Sequence, residues 1–305
     1  SRGLGDVYKR QADILSNEKI EKITCDAKQF YSWAFMRDVR IKGKVSDIMI
    51  AGYILNPSAN DYSPVRMAQE YGALCPEISE ENETALKAAA LKGAWEKVIK
   101  QIEENDQLPL LYDIEMPLSK VLSSMEVTGF LVDRESIQQY GAVLEEKINS
   151  LVSEIYDLAG EEFNINSPKQ LGTILFEKLG LPAKKKTKSG YSTNADVLEG
   201  LAPDYPIVSL ILEYRTLAKL KSTYCDGLQK CIAPDGRIHS TLNQTETKTG
   251  RISSTEPNLQ NIPVRTPVGR ELRKFFIAKE GCVLVDADYS QIELRVLSDL
   301  SLIHI

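Results

Sequence analysis

The chain has 305 residues, of which 43% are hydrophobic and 26% are charged, the proportions of an ordinary soluble globular protein with room for two or three domains. It has no apolar run of the roughly 18 residues that a membrane span needs, and no signal peptide, so we expect no membrane partner. Five cysteines without a CxxC pair favour reduced thiols in a cytoplasmic protein, and two histidines nearly exclude histidine-based metal or nucleophile chemistry.

The net charge of −6 is unevenly distributed along the chain. Residues 12–163 carry 15 basic and 27 acidic side chains, whereas residues 164–280 carry 18 basic and 11 acidic ones. A basic region on an acidic chain is typical of a surface that binds a polyanion. The competing interpretation is a lysine-rich surface that is merely solvated.

The two ends of the chain do not continue the patterns beside them. They are SRGLGDVYKRQ at residues 1–11 and SLIHI at residues 301–305, and there is no initiator methionine. We expect both ends to be translated adaptor or cloning sequence. The remainder is then expected to be an internal fragment of a longer protein.

Short strand-like pieces alternate with helices over residues 12–108, which predicts a small mixed α/β unit. Within it, Ser63, Pro64 and Gly72 have the types and the spacing of a helix N-cap, a first helical position and a stop. The stretch that follows, NDQLPLLYDIEMP, contains two prolines and is interpreted as a linker.

Two long amphipathic helices are predicted at 134–159 and 207–230, where apolar residues recur every three or four positions. Each apolar set lies on one stripe, so the two helices are expected to pair antiparallel. In the tip between them, Ser167 and Gln170 have the spacing of a capping box. The basic loop KKKTKSGYSTNADVL follows, with Ser192 or Thr193 as the expected cap of the next helix. A helical stalk with a basic tip suits a polyanion.

From residue 236 the sequence changes to β-branched and polar residues in alternation, and GCVLVDADYS at 281–290 is predicted to be a short buried strand. This pattern indicates the first part of a mixed α/β domain. Asp288 follows the strand, where an unpaired carboxylate is costly to bury. It either caps the following helix or binds a hard cation such as Mg²⁺, which proteins hold with one or two carboxylates together with phosphates.

Basic side chains and side-chain amides lie close together in the sequence before this strand. They are Arg251, Asn258, Gln260, Asn261, Arg265, Arg270, Arg273 and Lys274. Such groups bind phosphates and contact base edges in a minor groove, or they order loops by hydrogen bonds. The chain has no GxxxxGK[ST] or GxGxxG motif, so kinase-like and dinucleotide-binding functions have no support.

The strings TGRISSTEPNLQNIPVR and DYSQIELRVL closely resemble the palm of the family A DNA polymerases, the bacterial DNA polymerase I group. FNINSPKQLGTILFEKLGLP, KKTKSGYSTNADVLEGLA and ILEYRTLAKLKSTYCDGL resemble the thumb of the same family. The resemblance covers about residues 112–298 and is weaker over 12–111. It implies a multidomain α/β and α fold: a partial ribonuclease H-like exonuclease domain (12–108), a linker and helical thumb (109–230), and a truncated mixed α/β palm (231–300).

The resemblance also implies roles for individual residues near the predicted metal site. Asp288 corresponds to the first of two catalytic metal-binding aspartates, and the backbone carbonyl of Tyr289 corresponds to a further ligand of the two Mg²⁺ ions. Glu293 corresponds to the gate that rejects a 2′-hydroxyl. Together with Arg265 and Gln291, it is expected to bind the incoming deoxynucleoside triphosphate.

Contacts to primer-template DNA are implied for a second group of residues. Arg251 corresponds to an arginine that contacts the minor groove at the primer terminus, and Asn258, Gln260 and Asn261 to residues that line template and primer. The thumb-tip lysines expected to follow the duplex backbone are Lys184, Lys185, Lys186 and Lys188. We expect a monomer in the bacterial cytoplasm, associated with the nucleoid.

Two departures from the family pattern limit what this chain is expected to do. Phe30 stands where active exonucleases of the family have an aspartate, and AAALKGAW at 88–95 lacks the expected tyrosine and aspartate, so a degenerate exonuclease domain is expected. Past residue 298 the fingers helix and the second catalytic aspartate are missing, so we expect an inactive fragment of a polymerase of replication and repair. The alternative is a non-catalytic nucleic-acid-binding protein on a decayed polymerase scaffold, which the downstream gene sequence would distinguish.

Overall fold

The computed structural model describes residues 2–73, 83–183, 186–187, 190–263 and 267–304. Its helices are α1 (Arg2–Ser16), α2 (Ala27–Phe35), α3 (Ile48–Leu55), α4 (Pro64–Glu70), α5 (Glu83–Glu104), α6 (Met116–Thr128), α7 (Arg134–Ala159), α8 (Pro168–Gly172), α9 (Ala195–Glu199), α10 (Pro206–Leu220), α11 (Gly227–Lys230), α12 (Pro267–Arg273) and α13 (Ile292–His304). Its strands are β1 (Lys22–Thr24), β2 (Val45–Asp47), β3 (Phe130–Leu131), β4 (Lys186–Thr187), β5 (Gly190–Tyr191), β6 (Arg237–Ile238), β7 (Thr241–Asn243) and β8 (Ser253–Thr255). None of these helices is both long enough and apolar enough to cross a bilayer.

The N-terminal unit contains a two-stranded parallel sheet and the helices packed around it. Strands β1 and β2 pair with Ile23 opposite Ser46, and α2 connects them. Helices α3, α4 and α5 supply the largest buried side chains of this core, among them Ile48, Met67 and Ile102. The predicted mixed α/β character is confirmed. The predicted helix start is found as well, because Ser63 Oγ accepts a hydrogen bond from the N–H of Arg66.

One buried carboxyl, that of Asp47, fixes the starts of two helices in this unit. It caps α3 by accepting hydrogen bonds from the N–H groups of Met49 (2.7 Å) and Ile50 (3.4 Å). It also accepts from the N–H of Ala27, the first residue of α2, at 2.5 Å. Asp47 is 2% exposed, and this burial raises its pKa to about 7, although the three N–H donors favour the ionised form.

The stretch interpreted as a linker is helical, so that interpretation is wrong. Residues Leu110–Glu115 form a π-helical turn that continues directly into α6. Leu111 is fully buried in the core of the N-terminal unit. Pro109 lies in the first helical turn, where a missing backbone N–H is tolerated. Pro117 cannot donate a backbone hydrogen bond either, and the π-helical turn before it lets the helix continue without that bond.

The two predicted long helices are present and form the stalk. Helix α7 has the predicted bounds, and α10 continues through a π-helical turn at Lys221–Asp226 into α11. Lys221 Nζ lies 3.7 Å from Glu145, and the Cβ of Cys225 lies 3.4 Å from the position that a side chain at Gly141 would take. Because the numbers rise along one helix as they fall along the other, the pairing is antiparallel, as predicted.

Helix caps at the tip of the stalk follow the prediction only in part. Ser167 Oγ accepts a hydrogen bond from the N–H of Gln170 at 3.4 Å, but the Gln170 side chain accepts from Asn164 rather than from Ser167. The cap of α9 is Asn194, whose Oδ1 accepts from the N–H of Val197 at 3.2 Å. The expectation of Ser192 or Thr193 is therefore wrong.

Beyond residue 236 the structure contains short antiparallel pairs. Strand β3 pairs with β6, and β7 pairs with β8 so that Leu242 lies opposite Ser254. The predicted buried strand at 281–290 is not formed, and Val283 and Val285 are 80% and 84% exposed. The prediction from the apolar pattern was wrong because a strand needs a partner for its backbone N–H and C=O groups. No described part of the chain pairs with this stretch.

The raised pKa of Asp47 predicts a pH dependence of stability. An aspartate in the unfolded chain has a pKa of about 3.9, so the folded protein binds this proton more tightly. The contribution of Asp47 to the free energy of unfolding is therefore largest below pH 4 and is lost as the pH rises to about 7. We expect Asp47→Ser, which keeps a capping oxygen without the titrating group, to reduce this decline in urea unfolding at pH 4–8. Equal declines in both proteins would contradict the prediction.

Candidate functional site

The residues predicted to bind metal and nucleotide lie on an exposed turn. Asp288, Tyr289 and Gln291 precede α13, and Glu293 lies in its first turn. Tyr289 is 80% exposed, and Gln291 has a positive φ of 54°. Among the described residues, the carboxylate of Asp288 has no hydrogen-bond or ion-pair partner. Its capping of α13, the alternative considered for this residue, is therefore not observed.

These residues do not make a complete metal site by themselves. In the described ranges, no group of three or more histidine, cysteine, aspartate or glutamate side chains could hold a metal ion. Asp288 and the carbonyl of Tyr289 offer two donors, whereas Mg²⁺ requires six in a near-octahedral arrangement. The two residues fit part of a Mg²⁺ site, and further donors are needed to complete it.

Two site residues that are distant in sequence lie side by side. Arg251 Nη2 is 3.3 Å from Glu293 Oε1, and the two side chains are 76% and 74% exposed. Arg251 lies in the loop between β7 and β8, and Glu293 lies in the first turn of α13, where the helix dipole favours an acid. The predicted primer-terminus contact and the predicted sugar gate thus share one surface.

The three amide residues predicted to contact DNA also order their own loop. Asn258 Oδ1 accepts a hydrogen bond from the N–H of Gln260 at 3.0 Å, and Gln260 Nε2 donates to the carbonyl of Ile252 at 2.7 Å. The carbonyl of Asn261 accepts from the hydroxyl of Tyr224. All three side chains are exposed. The structure therefore supports the loop-ordering interpretation of these bonds and leaves exposed amide surface for a ligand.

A cleft of about 560 Å³ separates this loop from the stalk. Asn258 and Asn261 line it on one side, and Lys219 and Thr223 line it on the other. Lys219, which sequence reasoning did not single out, thus adds a cationic side chain opposite two of the predicted DNA contacts. Its position at the C-terminal end of α10 was predictable, but its juxtaposition with a loop forty residues away was not.

Several predicted contacts cannot be located in this structure. Arg265, Lys184, Lys185 and Lys188 lie outside the described residues. Of the thumb-tip lysines, only the backbone of Lys186 is described, in β4 opposite Tyr191 of β5.

Sequence reasoning also missed how the N-terminal unit holds the hairpin of β7 and β8. Lys28 Nζ forms an ion pair with Glu126 at 2.5 Å and donates to the carbonyl of Leu242 at 2.9 Å. Glu126 also accepts from the N–H of Leu242 at 2.6 Å. The paired residues are about one hundred and two hundred positions apart, and no local pattern in one sequence signals such contacts.

Comparison with known proteins decides the family. Residues 134–304 match the family model described as DNA polymerase family A. The chain belongs to the family A DNA polymerases. Residues 8–83 match a second model, DNA polymerase I, ribonuclease H-like domain. The family resemblance and the predicted fold class are confirmed, and the roles of the individual residues stay predictions.

Similar proteins extend well beyond this chain. DNA polymerase I of Bacillus subtilis (strain 168) is 44% identical over 307 residues, which cover 94% of this chain and 35% of that protein. DNA polymerase I of Lactococcus lactis subsp. cremoris (strain MG1363) is 56% identical over 217 residues, covering 71% of this chain and 25% of that protein. The chain therefore spans about a third of the length of the curated relatives it matches.

A solved structure aligns with nearly the whole chain. The POL domain of Pol1 from M. smegmatis, in complex with DNA primer-template and dNTP, has a TM-score of 0.83 and 36% sequence identity. The alignment covers 95% of this chain and 51% of that one. The arrangement of the N-terminal unit, the stalk and the hairpin is thus one that a family A polymerase domain adopts.

The two segments in which exonuclease residues were expected are occupied by packing residues. Phe30 lies in α2 with its ring centroid 6.0 Å from that of Tyr31. In α5, Ala90, Ala94 and Trp95 are buried in the N-terminal core. These positions contribute apolar surface to the fold, and the loss of nuclease chemistry stays a prediction.

Two ion pairs of this region are expected to contribute to stability by very different amounts. Glu293→Gln should change the free energy of unfolding by less than about 0.5 kcal/mol, because its pair with Arg251 is exposed and screened by solvent. Glu126→Gln should cost roughly 2–4 kcal/mol, since Lys28 would keep a charge that is largely removed from water. Urea unfolding of both variants checks this. Similar losses in the two variants would contradict it.

Proposed function

We propose that the whole protein is a DNA-templated DNA polymerase that transfers deoxynucleotidyl groups to a primer 3′-hydroxyl in replication and repair. The observation that carries the proposal is the similarity, over 95% of the chain, to a polymerase domain solved with primer-template and dNTP. Family membership and the clustering of Arg251 with Glu293 on one exposed surface support it. Primer-template DNA and deoxynucleoside triphosphates are the proposed partners.

The residues of this chain would bind and orient the substrates. Arg251 and Lys219 would contact the duplex, where cationic side chains neutralise phosphates and fix the register of the DNA. Glu293 would lie beneath the sugar of the incoming nucleotide, and its bulk would exclude a 2′-hydroxyl. Arg265 and Gln291 would contact the same nucleotide. The net positive charge of residues 164–280 favours the approach of the DNA to this side of the protein.

Divalent metal ions serve the family A polymerases generally, and we propose two Mg²⁺ ions here. When bound, such ions stabilise the attacking and leaving oxygens of the reaction. Asp288 and the carbonyl of Tyr289 would hold part of this pair of ions. Asp288 is suited to the role because its carboxylate is exposed and has no competing partner among the described residues.

In the whole protein, Asp288→Ala should reduce primer extension to less than a few per cent of the wild-type rate while primer-template binding persists. The matched control is Asp286→Ala, because Asp286 lies in the same exposed stretch and has no predicted role. Extension rates with saturating deoxynucleotides and binding by fluorescence anisotropy measure the two effects. Substantial extension by Asp288→Ala, or equal loss in the control, would refute the metal-binding role.

The 305-residue chain by itself should not extend a primer. One aspartate and one backbone carbonyl cannot fix two Mg²⁺ ions, which give up their water ligands reluctantly and need an opposing carboxylate as well as the triphosphate. A primer-extension assay with Mg²⁺ and a labelled primer tests this directly. Templated addition of even one nucleotide that disappears in Asp288→Ala would show that the chain completes the site with groups not identified above.

A further inference from the structure

The hydroxyl of Tyr53 connects the N-terminal unit to the loop between β7 and β8. Tyr53 lies in α3 and is 5% exposed. Its hydroxyl donates to the carbonyl of Thr247 at 2.6 Å and accepts from the N–H of Gly250 at 3.1 Å. One buried hydroxyl therefore joins two points of a loop that is otherwise about two hundred residues away in sequence.

The same loop carries Arg251. The hydroxyl of Thr247 donates to the Arg251 carbonyl at 2.6 Å, so two consecutive hydrogen bonds link Tyr53 to the Arg251 backbone. Gly250, which directly precedes Arg251, has a φ of +77°, a conformation that side-chain-bearing residues rarely adopt. The loop thus holds the backbone of Arg251 in a conformation that depends on the contacts of its neighbours.

The side chain of Arg251 is held far less firmly than its backbone. In the described part of the chain, its contact is the exposed ion pair with Glu293 at 3.3 Å. Such a pair contributes little and exchanges readily with solvent. The point from which the guanidinium extends is therefore set by the backbone, which is held by the bonds of Tyr53 and Thr247 and, at Ile252, by the bond from Gln260 Nε2.

The base of the hairpin has separate anchors, which distinguishes it from the loop. Lys28 and Glu126 bind the backbone of Leu242, and Gln244 Nε2 donates to the carbonyl of Glu115 at 2.9 Å. Removing the hydroxyl of Tyr53 would therefore release the loop at Thr247 and Gly250 while leaving the hairpin docked. A loop that must become ordered during binding lowers affinity, because the lost conformational freedom opposes association.

We infer that Tyr53 is a positioning residue for Arg251, holding the loop so that the guanidinium is presented to the DNA before DNA binds. The inference rests on the proposed function, in which Arg251 contacts the primer-template duplex. It gives the N-terminal unit, in which nuclease residues are replaced by packing residues, a part in DNA binding.

The test compares four variants of the 305-residue chain in binding to a fluorescent primer-template duplex at low salt. They are Tyr53→Phe, Arg251→Ala, the double variant and the control Tyr62→Phe. Tyr62 is a matched control because its ring packs edge-on against Tyr53, with centroids 6.0 Å apart, while its hydroxyl donates within the N-terminal unit, to Asn56. Both tyrosine changes remove one buried hydroxyl and keep the ring.

We expect Arg251→Ala to weaken binding roughly 5- to 100-fold, Tyr53→Phe roughly 2- to 10-fold, and Tyr62→Phe less than 2-fold. The double variant should bind no more weakly than Arg251→Ala, because without the guanidinium the position of the loop no longer matters. Amide hydrogen exchange supplies a structural readout. The N–H of Gly250 should exchange faster than in the wild type in Tyr53→Phe, and at the wild-type rate in Tyr62→Phe. The N–H of Ile50 in α3 should stay protected in both variants.

The outcomes separate the inference from the proposed function. If Tyr53→Phe weakens binding equally with and without Arg251, its effect does not act through Arg251 and the inference is wrong. If Arg251→Ala weakens binding while Tyr53→Phe does not, the inference is overturned and the DNA contact of Arg251 stands. If Arg251→Ala leaves the affinity unchanged, or the wild-type chain does not bind the duplex at all, the proposed DNA contact itself fails.

Discussion

The ion pair between Lys28 and Glu126 is the interaction on which the arrangement of this chain depends. It joins α2 to α6 in the described structure, and both side chains also bind the backbone of Leu242 in β7. His239 Nδ1 adds a contact to the carbonyl of Glu126 at 2.7 Å. The charges are 16% and 18% exposed, so neither can be removed without leaving the other largely desolvated. The hairpin of β7 and β8 is therefore positioned against the N-terminal unit by polar contacts of defined geometry.

These contacts of Lys28 and Glu126 make the position of the hairpin depend on the N-terminal unit. Hydrogen bonds to backbone groups are directional, so they fix both distance and orientation. Ser32 and Ser123, whose hydroxyls lie 2.7 Å apart, extend the same kind of contact between α2 and α6. The N-terminal unit thus supports the hairpin whose loop carries Arg251 through several polar contacts.

Local features of the fold could be predicted from the sequence, and features that depend on distant partners could not. The bounds of α7 and the Ser63 cap follow from spacing within a few residues, and both predictions were right. The strand at 281–290 and the linker were wrong, because pairing and π-helical geometry are decided by surroundings that a pattern of residue types does not contain. Residue type and position already indicated Asp288 and the basic and amide residues before it as a site, whereas their individual roles came from resemblance. The contacts of Lys28 with Glu126 and Leu242 could not be predicted from the sequence.

Asp47 has a further consequence for the dynamics of the N-terminal unit. Because its two carboxyl oxygens accept from the first residues of α2 and α3 respectively, unwinding either helix start leaves one oxygen of this buried carboxyl without its donor. We therefore expect fraying at these two helix starts, which helix ends usually undergo independently, to be coupled. The two helix starts should therefore open as one cooperative unit, and the amides in both first turns should show the same free energy of opening in hydrogen exchange.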